Sequence, residues 1–276
     1  YLDEENYYLP YYKTYTSVES VYWDIINEDL FFYNKNTLDI APSFFPKEDL
    51  FSNWSVTSNS ANIDLKTKQL KLNDVDVLQI SDAFILPRNG EVEIGENFSI
   101  SKLYDSEIIL DTINEYHRFI NASVDINSKD QFIGSGIYEY VNFNNDTFNI
   151  PFSEFKLVET LDENEQKIKT SFSSGVVDKE SPILMEPGFN FFGNIELFAN
   201  NAQLLFNGKI IPSEIKNFNE NRAISYNNYF APGDQLSINI SEQDNFYSSA
   251  ISKNGNDLYF EFFNNSVEKK SLVFFN

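Results

Sequence analysis

The sequence predicts an all-β fold with little helix, and three observations carry that expectation. Apolar residues alternate with polar ones over short runs, as at Ile63 and Leu65, Leu70 and Leu72, and Ile195 and Leu197. This is the period-two pattern of half-buried strands. The runs are closed by turn-forming clusters such as Pro87-Arg88-Asn89-Gly90 and Asn254-Gly255-Asn256-Asp257, in which Pro fixes one φ angle and Asn and Gly accept positive φ. No stretch shows the spacing of a long amphipathic helix.

The arrangement of the strands is read from one recurring motif. An acidic or amide residue, a small residue, any residue, then Ile or Val recurs as Asp82-Ala83-Phe84-Ile85, Asp105-Ser106-Glu107-Ile108 and Asn121-Ala122-Ser123-Val124. In a coiled β-solenoid, such a small residue packs against its copy in the next coil, where bulk does not fit. The sequence therefore predicts an elongated body, β-solenoid-like (a parallel β-helix) or made of stacked sheets. The irregular spacing of the motif keeps a sheet meander open as the alternative.

Residues 1–20 hold Tyr1, Tyr7, Tyr8, Tyr11, Tyr12 and Tyr15 without helical period, and read as an extended lead-in. Residues 19–34 read as a hairpin turning at Asn27-Glu28-Asp29, with Trp23 as a core anchor, since large aromatics usually serve packing. Residues 39–54 read as a loop with one short helical turn near 47–50, followed by an exposed connection at 52–60. Residues 61–73 form strands around a turn at 66–69. Further strands are expected at 77–86, 92–94, 108–110, 124–126 and 133–141, then on both sides of Asn144-Asn145-Asp146. Residues 159–166 are an acidic excursion, 176–188 a loop containing Pro182 and Pro187, and 189–212 a strand pair joined at 199–202. Strands near 236–240, 258–263 and 272–275 close the chain. The expected domains are a main body over residues 1–214 and a C-terminal β segment over 215–276. The start at Tyr1 and the strand-like run 271–276 suggest a piece of a longer parent protein.

Net charge is −22, from 42 acidic and 20 basic residues. That opposes nucleic-acid binding, which depends on Lys and Arg displacing counterions, and opposes an anionic membrane surface. There is no Cys, which excludes disulfides, thiol nucleophiles and Cys-ligated metals. No apolar run approaches the roughly 18 residues of a transmembrane helix.

The sequence assigns no catalytic residue and no metal ligand. His117 is the only histidine, and a strand or turn position without a catalytic part is the expected role. Asp82, Asp105 and Asp111 would line one face if the runs stack, and two carboxylates suffice for glycoside hydrolysis. Solvated strand ends or turn caps are the plainer reading. Arg88 and Arg118 are the only Arg candidates for a lyase base in that block. Calcium is considered at Asp125, Asn127 and Asp130, and at Asp162, Glu163, Asn164 and Glu165, which offer hard oxygen ligands without the EF-hand pattern. Tyr7, Tyr8, Tyr11 and Tyr12 are the best cluster for stacking on sugar rings. The Asn-x-Ser/Thr triplets at Asn53, Asn97, Asn121, Asn145 and Asn239 carry no inference in so Asn-rich a chain.

Several segments resemble stretches of very large, β-rich, uncharacterised cell-envelope proteins of the Bacteroidota. They are Tyr7-Tyr8-Leu9-Pro10-Tyr11-Tyr12-Lys13-Thr14, Trp23-Asp24, Ile80-Ser81-Asp82-Ala83-Phe84-Ile85-Leu86-Pro87, Tyr116-His117, Asn121-Ala122, Gly136-Ile137-Tyr138-Glu139-Tyr140 and Phe192-Gly193-Asn194-Ile195-Glu196-Leu197. The resemblance spans most of residues 1–212. It implies an extracytoplasmic location, in the periplasm or at the surface of a Gram-negative cell, and a fragment of a larger chain. It brings no site residue.

The function expected is thus a non-catalytic structural or interaction domain. Its partners would be other envelope proteins or further domains of the same chain, with a glycan or a lipid as further candidates. Two alternatives stand beside it: a lipid-handling β-groove, suggested by the Ala-x-Ile-Asp…Leu-x-Leu pattern of residues 61–72, and a glycan-active β-helix enzyme using carboxylates.

Overall fold

The computed structural model describes residues 7–33, 43–47, 49–161, 166–212, 223–232, 234, 236, 238–239 and 271–272. They form two compact units that are interleaved along the chain. The first comprises Tyr1–Glu139, Pro151–Ser174 and Phe198–Ala202; the second comprises Tyr140–Ile150, Gly175–Leu197 and Gln203–Asn276. The boundary expected at 215 lies outside the described residues.

The first unit opens with β1 (Tyr7–Leu9) and β2 (Thr14–Thr16), a hairpin rather than a single extended lead-in. β3 (Ser20–Asp24) and β4 (Asp29–Tyr33) form the hairpin expected around Asn27 and Glu28. β5 (Ser43–Pro46), a 3₁₀ turn at Asp49–Phe51 and β6 (Val56–Thr57) follow, then β7 (Ser60–Asp64) and β8 (Gln69–Asn73) around the expected turn. Next come β9 (Leu78–Ile80), β10 (Ala83–Leu86), β11 (Val92–Ile94), β12 (Leu103–Leu110), β13 (His117–Ser128), β14 (Gln131–Val141), β15 (Thr147–Leu161) and β16 (Lys167–Val177). Three sheets result: β1-β2-β5-β6, β11-β8-β7-β4-β3, and the run β9-β10-β12-β13-β14-β15-β16. β14, β15 and β16 contribute residues to both units.

The second unit adds β17 (Ile183–Glu186), β18 (Phe189–Phe198), β19 (Leu204–Pro212) and β20 (Ile224–Phe230), in the order β20-β19-β18 with β17 also on β18. β21 (Ile238–Asn239) and β22 (Ser271–Leu272) pair with each other, where two of the last three strands were expected. The third, at 258–263, lies outside the described residues. Residues 176–188 were expected as a loop, yet β17 forms within them, with its turn at Gly188. Phe206 centres this unit's core, with Phe191 at 4.9 Å and Tyr140 and Phe230 at 5.9 Å.

The parallel β-helix expectation is overturned. The paired strands run antiparallel, through consecutive hairpins, in stacked sheets. The recurring motif has a different cause. Asp105 and Asn121 hold positive φ, 51° and 50°, inside β12 and β13. Each marks a β-bulge, where two residues of one strand oppose one of its neighbour.

The extra residue shifts the alternation by one, and with it the inward face. In β13, His117 and Phe119 are buried before Asn121, and Ala122, Val124 and Ile126 after it. In β12, Leu103 precedes the shift and Ser106, Ile108 and Leu110 follow it. β15 repeats the device at Glu154, φ 60°, between buried Phe152 and Phe155. The small residue after the bulge does pack against a small partner, as the motif suggested. Ser106 faces Ala122 across antiparallel strands. A Cβ on Gly136 of β14 would meet that of Ala122 at 3.4 Å and that of Phe119 at 3.1 Å. Phe119 lies at the centre of this core, with Phe155, Tyr138 and Phe152 at 4.8, 5.3 and 5.5 Å.

Asn121 tests the bulge. Asn121→Val forces a β-branched residue into the left-handed region and is expected to lower stability by about 1–2 kcal/mol. Asn121→Gly, free of that penalty, is expected to be neutral or slightly stabilising. Chemical denaturation of the two variants checks this.

Candidate interaction surface

Of the three carboxylates considered for glycan chemistry, Asp82 and Asp111 are neighbours at a strand end, and Asp105 stands apart from them. Asp82 sits in the β9–β10 turn and reaches β16. It accepts hydrogen bonds from the Ser171 backbone N–H at 2.7 Å, from Thr170 Oγ1 at 3.1 Å and from the Ser171 hydroxyl. Asp111 lies beside Asp82 at the strand end, where its N–H donates to the Asp82 carbonyl. Its carboxylate caps the next turn, accepting from the Ile113 N–H and the Asn114 amide. Asp105 is further along β12, roughly 15–20 Å away at 3.3 Å per residue, and is ion-paired with Arg88. Arg118 is likewise paired, with Glu107.

His117 is buried at the start of β13. Its Nε2 lies 2.7 Å from the Asn201 carbonyl and its Nδ1 3.3 Å from the Tyr138 hydroxyl. A carbonyl only accepts, so Nε2 carries the proton and the Tyr138 hydroxyl donates to Nδ1: the neutral imidazole satisfies both bonds. Burial holds its pKa below the ordinary value, against the opposing pull of the Asn201 carbonyl and Asp111. Burial also pushes Tyr138 up to about 12. The pair is a polar tie inside the core.

Of the calcium candidates, Asp125 is in an ion pair with Lys102 at 2.8 Å. No group of three or more His, Asp or Glu that could hold a metal gathers among the described residues. Residues 162–165 lie outside them. Among the described residues Phe119, Phe155, Phe191 and Phe206 are packed ring to ring in the cores rather than along a trough, and Ala61, Ile63, Leu70 and Leu72 are buried beneath their sheet. Among the tyrosines, Tyr8 stacks on Tyr15 at 4.7 Å, Tyr12 is buried, and the Lys47 and Lys68 ammonium groups lie over Tyr8 and Tyr11.

The surface that stands out is one the sequence reading placed in the core. In the five-stranded sheet, register fixes which residues share a face. Trp23 pairs with Leu30, which pairs with Ile63, which pairs with Leu70, which pairs with Ile94. The adjacent row on the same face is Val21, Phe32, Ala61, Leu72 and Val92. These two rows are the inner face. They are fully buried at β11 and β8 and nearly so at β7, with Phe32 of β4 still buried. At β3 the cover stops: Val21 is 47% exposed and Trp23 57%. Trp23 is therefore no core anchor. It belongs to the core by register and to the surface by position, because β3 overhangs whatever covers its neighbours.

The overhang continues into the turn, where Ile25 and Ile26 are 71% and 90% exposed. On the other face Tyr22 lies 6.2 Å from the exposed Phe31. Acids rim this ledge. Asp24, Asp29 and Asp64 stand directly opposite one another across three strands, an arrangement of like charges that costs stability. The Asn27 backbone and side chain and the Ile26 N–H hold Asp24 below the usual carboxylate range, and the Thr67 and Lys66 groups do the same for Asp64. Asp24 and Asp64 thus hold their negative charge further into acid than ordinary carboxylates do.

Comparison of the chain with protein families, with characterised proteins and with solved structures returned no match. Among the described residues no helix is long and apolar enough to cross a membrane.

Two outcomes follow from the buried polar ties. The folded state resists protonating His117, whereas the unfolded chain takes up that proton near the ordinary pKa of about 6.5. The tie therefore contributes fully above that pH and loses its contribution as pH falls below it. Thermal unfolding from pH 7.5 to 5.5 is expected to show a falling midpoint that is flatter in His117→Gln. Asp82→Ala leaves the Ser171 and Thr170 donors without their acceptor and is expected to cost about 2–4 kcal/mol in urea denaturation.

Proposed function

We propose that this chain is a non-catalytic interaction domain of a large extracytoplasmic envelope protein, and that it docks a partner through the β3–β4 ledge. One observation carries the docking role: Val21 and Trp23 belong to the inner face of a sheet yet lie in solvent. A contiguous exposed apolar patch on a strongly acidic chain costs solubility unless a partner covers it. Trp and Tyr surrounded by weaker contacts are also the residue types that dominate binding energy at interfaces. The envelope setting rests on the resemblance of residues 1–212, and the large extracytoplasmic parent is part of that same reading. Asp82, Asp105 and Asp111 already have structural partners, which favours scaffold over enzyme.

The test is native mass spectrometry of the full chain purified gently from its own envelope fraction, before and after organic extraction. A stoichiometric protein partner is expected, and it should be lost from the double variant Val21→Ser/Trp23→Ala. Both side chains are about half exposed, so the variant should remain folded at a cost of about 1–3 kcal/mol. A lipid that leaves on extraction, with no protein partner, would overturn the docking reading in favour of the groove.

A further inference from the structure

The ledge ends in a strand edge, and the edge says more about the partner than the apolar patch does. β3 is the last strand of its sheet and pairs on one side only, with β4. Among the described residues no strand adds to its outer side, so the backbone N–H and C=O groups of every second residue of this five-residue strand face away from β4. The opposite edge of the same sheet is closed: Ile94 of β11 bridges to Ile100, and the Ser101 N–H donates to the Glu93 carbonyl. On the β9 edge of the neighbouring sheet the Gln79 carbonyl is already taken, accepting from Trp54 Nε1 at 2.8 Å. Of the protections against strand addition β3 carries no Lys, no Pro and no bulge, and its one charged side chain, Asp24, sits at its end. Its sequence is Ser-Val-Tyr-Trp-Asp and all five residues are free of positive φ.

Charge decides between the possible occupants. Residues 14–34 contain Glu19, Asp24, Glu28 and Asp29 and no Lys, Arg or His. Asp64 adds a fourth carboxylate to the rim beside Asp24, Glu28 and Asp29, with Lys66 of the adjoining turn the nearest basic residue in sequence. A second copy of this chain would bring its own acids to that rim, on a body of net charge −22. Antiparallel pairing of two β3 strands would set Ser20 opposite Asp24 and bring the two acidic rims together, with no Lys or Arg in either strand. A cationic strand would instead place Lys or Arg against the Asp24–Asp29–Asp64 row and relieve its cross-strand repulsion.

We infer that β3 is a strand-addition edge that takes an extended cationic segment of another protein, with apolar residues alternating with Lys or Arg. This rests on the docking role proposed above and specifies its chemistry. Backbone hydrogen bonds along β3 supply part of the affinity, and the alternating side chains read the two faces. The apolar residues lie beside Val21 and Trp23 on the inner face, and the basic ones lie beside Tyr22 and the acidic row on the other.

The probe is a fluorescein-labelled, acetylated and amidated hexapeptide, Lys-Val-Lys-Val-Lys-Val, followed by anisotropy on the full chain. Two comparison peptides replace Lys by Glu or carry backbone N-methyl groups on alternate residues. Saturable binding of the Lys peptide is expected, at least ~10-fold tighter than either comparison peptide and weakened several-fold by raising salt, as screening requires. Val21→Ser/Trp23→Ala should weaken it ~10-fold or more with the variant still fully folded at the temperature of the assay. No saturable binding of the Lys peptide, or equal binding of the N-methylated peptide, would overturn strand addition and leave the ledge itself standing. Binding unaffected by Val21→Ser/Trp23→Ala would remove the ledge, and with it the docking role. Sedimentation showing a dimer of the chain that those substitutions separate would make a second copy the occupant and overturn the cationic partner.

Discussion

The architecture of the first unit depends on a change of face within single strands. A strand presents alternate residues to its two sides, so an apolar pattern that shifts by one residue cannot be buried on one side by a regular strand. Asp105, Asn121 and Glu154 each absorb the shift in a left-handed conformation. Because of this, Phe119 and Val124 of one strand, and Phe152 and Phe155 of another, all reach the core. Asp105 and Asn121, residue types that enter the left-handed region readily, pay less than the about 1–2 kcal/mol that Glu154 pays, while each fully buried aromatic returns about 1.5–3 kcal/mol. The bulges hold because the ring cluster around Phe119 outweighs them. The small residues Ser106, Ala122 and Gly136 follow from the same constraint, since strands drawn together at the bulges leave little room between their Cβ positions.

Within this frame a few polar side chains fix long-range geometry. Asp82 ties the β9–β10 turn to β16, and His117 ties the start of β13 to Asn201. In the second unit Asn142 does comparable service: its carbonyl accepts from the Asn144 and Asp146 N–H groups and its amide donates to the Leu184 carbonyl. Each is satisfied, which is what makes a polar group in such a position favourable rather than costly. The ionised groups in pairs, such as Lys102 with Asp125, sit nearer the surface, where solvent screening makes each pair worth little.

The ledge inverts this logic. Its apolar residues obey the alternation of the sheet and lack the cover that the alternation implies. Exposed apolar area on an edge strand invites association, and the surrounding carboxylates restrict which associations are favourable. A chain of net charge −22 repels its own copies. On the reading proposed above, the combination of an open edge, large aromatics on both faces and a negative rim would favour one kind of partner over others.

The local features were legible because their causes are local. The alternation at Ile63, Leu70 and Leu72, the turn at Pro87-Arg88-Asn89-Gly90 and the hairpin at Asn27 and Glu28 each depend on a few neighbouring residues, and all stand in the structure, whereas Leu65 falls in the exposed turn. The long strands were read as fragments such as 108–110 and 124–126 because the alternation breaks at Asp105 and Asn121, and a break in period looks like the end of a strand. Whether the strands pair antiparallel or coil in parallel, which donors Asp82 meets, and whether Trp23 is covered are all set by residues far away in sequence. By itself the sequence determined the β character, the turns and the acidic surface. Tertiary structure alone decided the pairing, the burial of His117 and the exposure of Val21 and Trp23, because each depends on which distant strand arrives alongside.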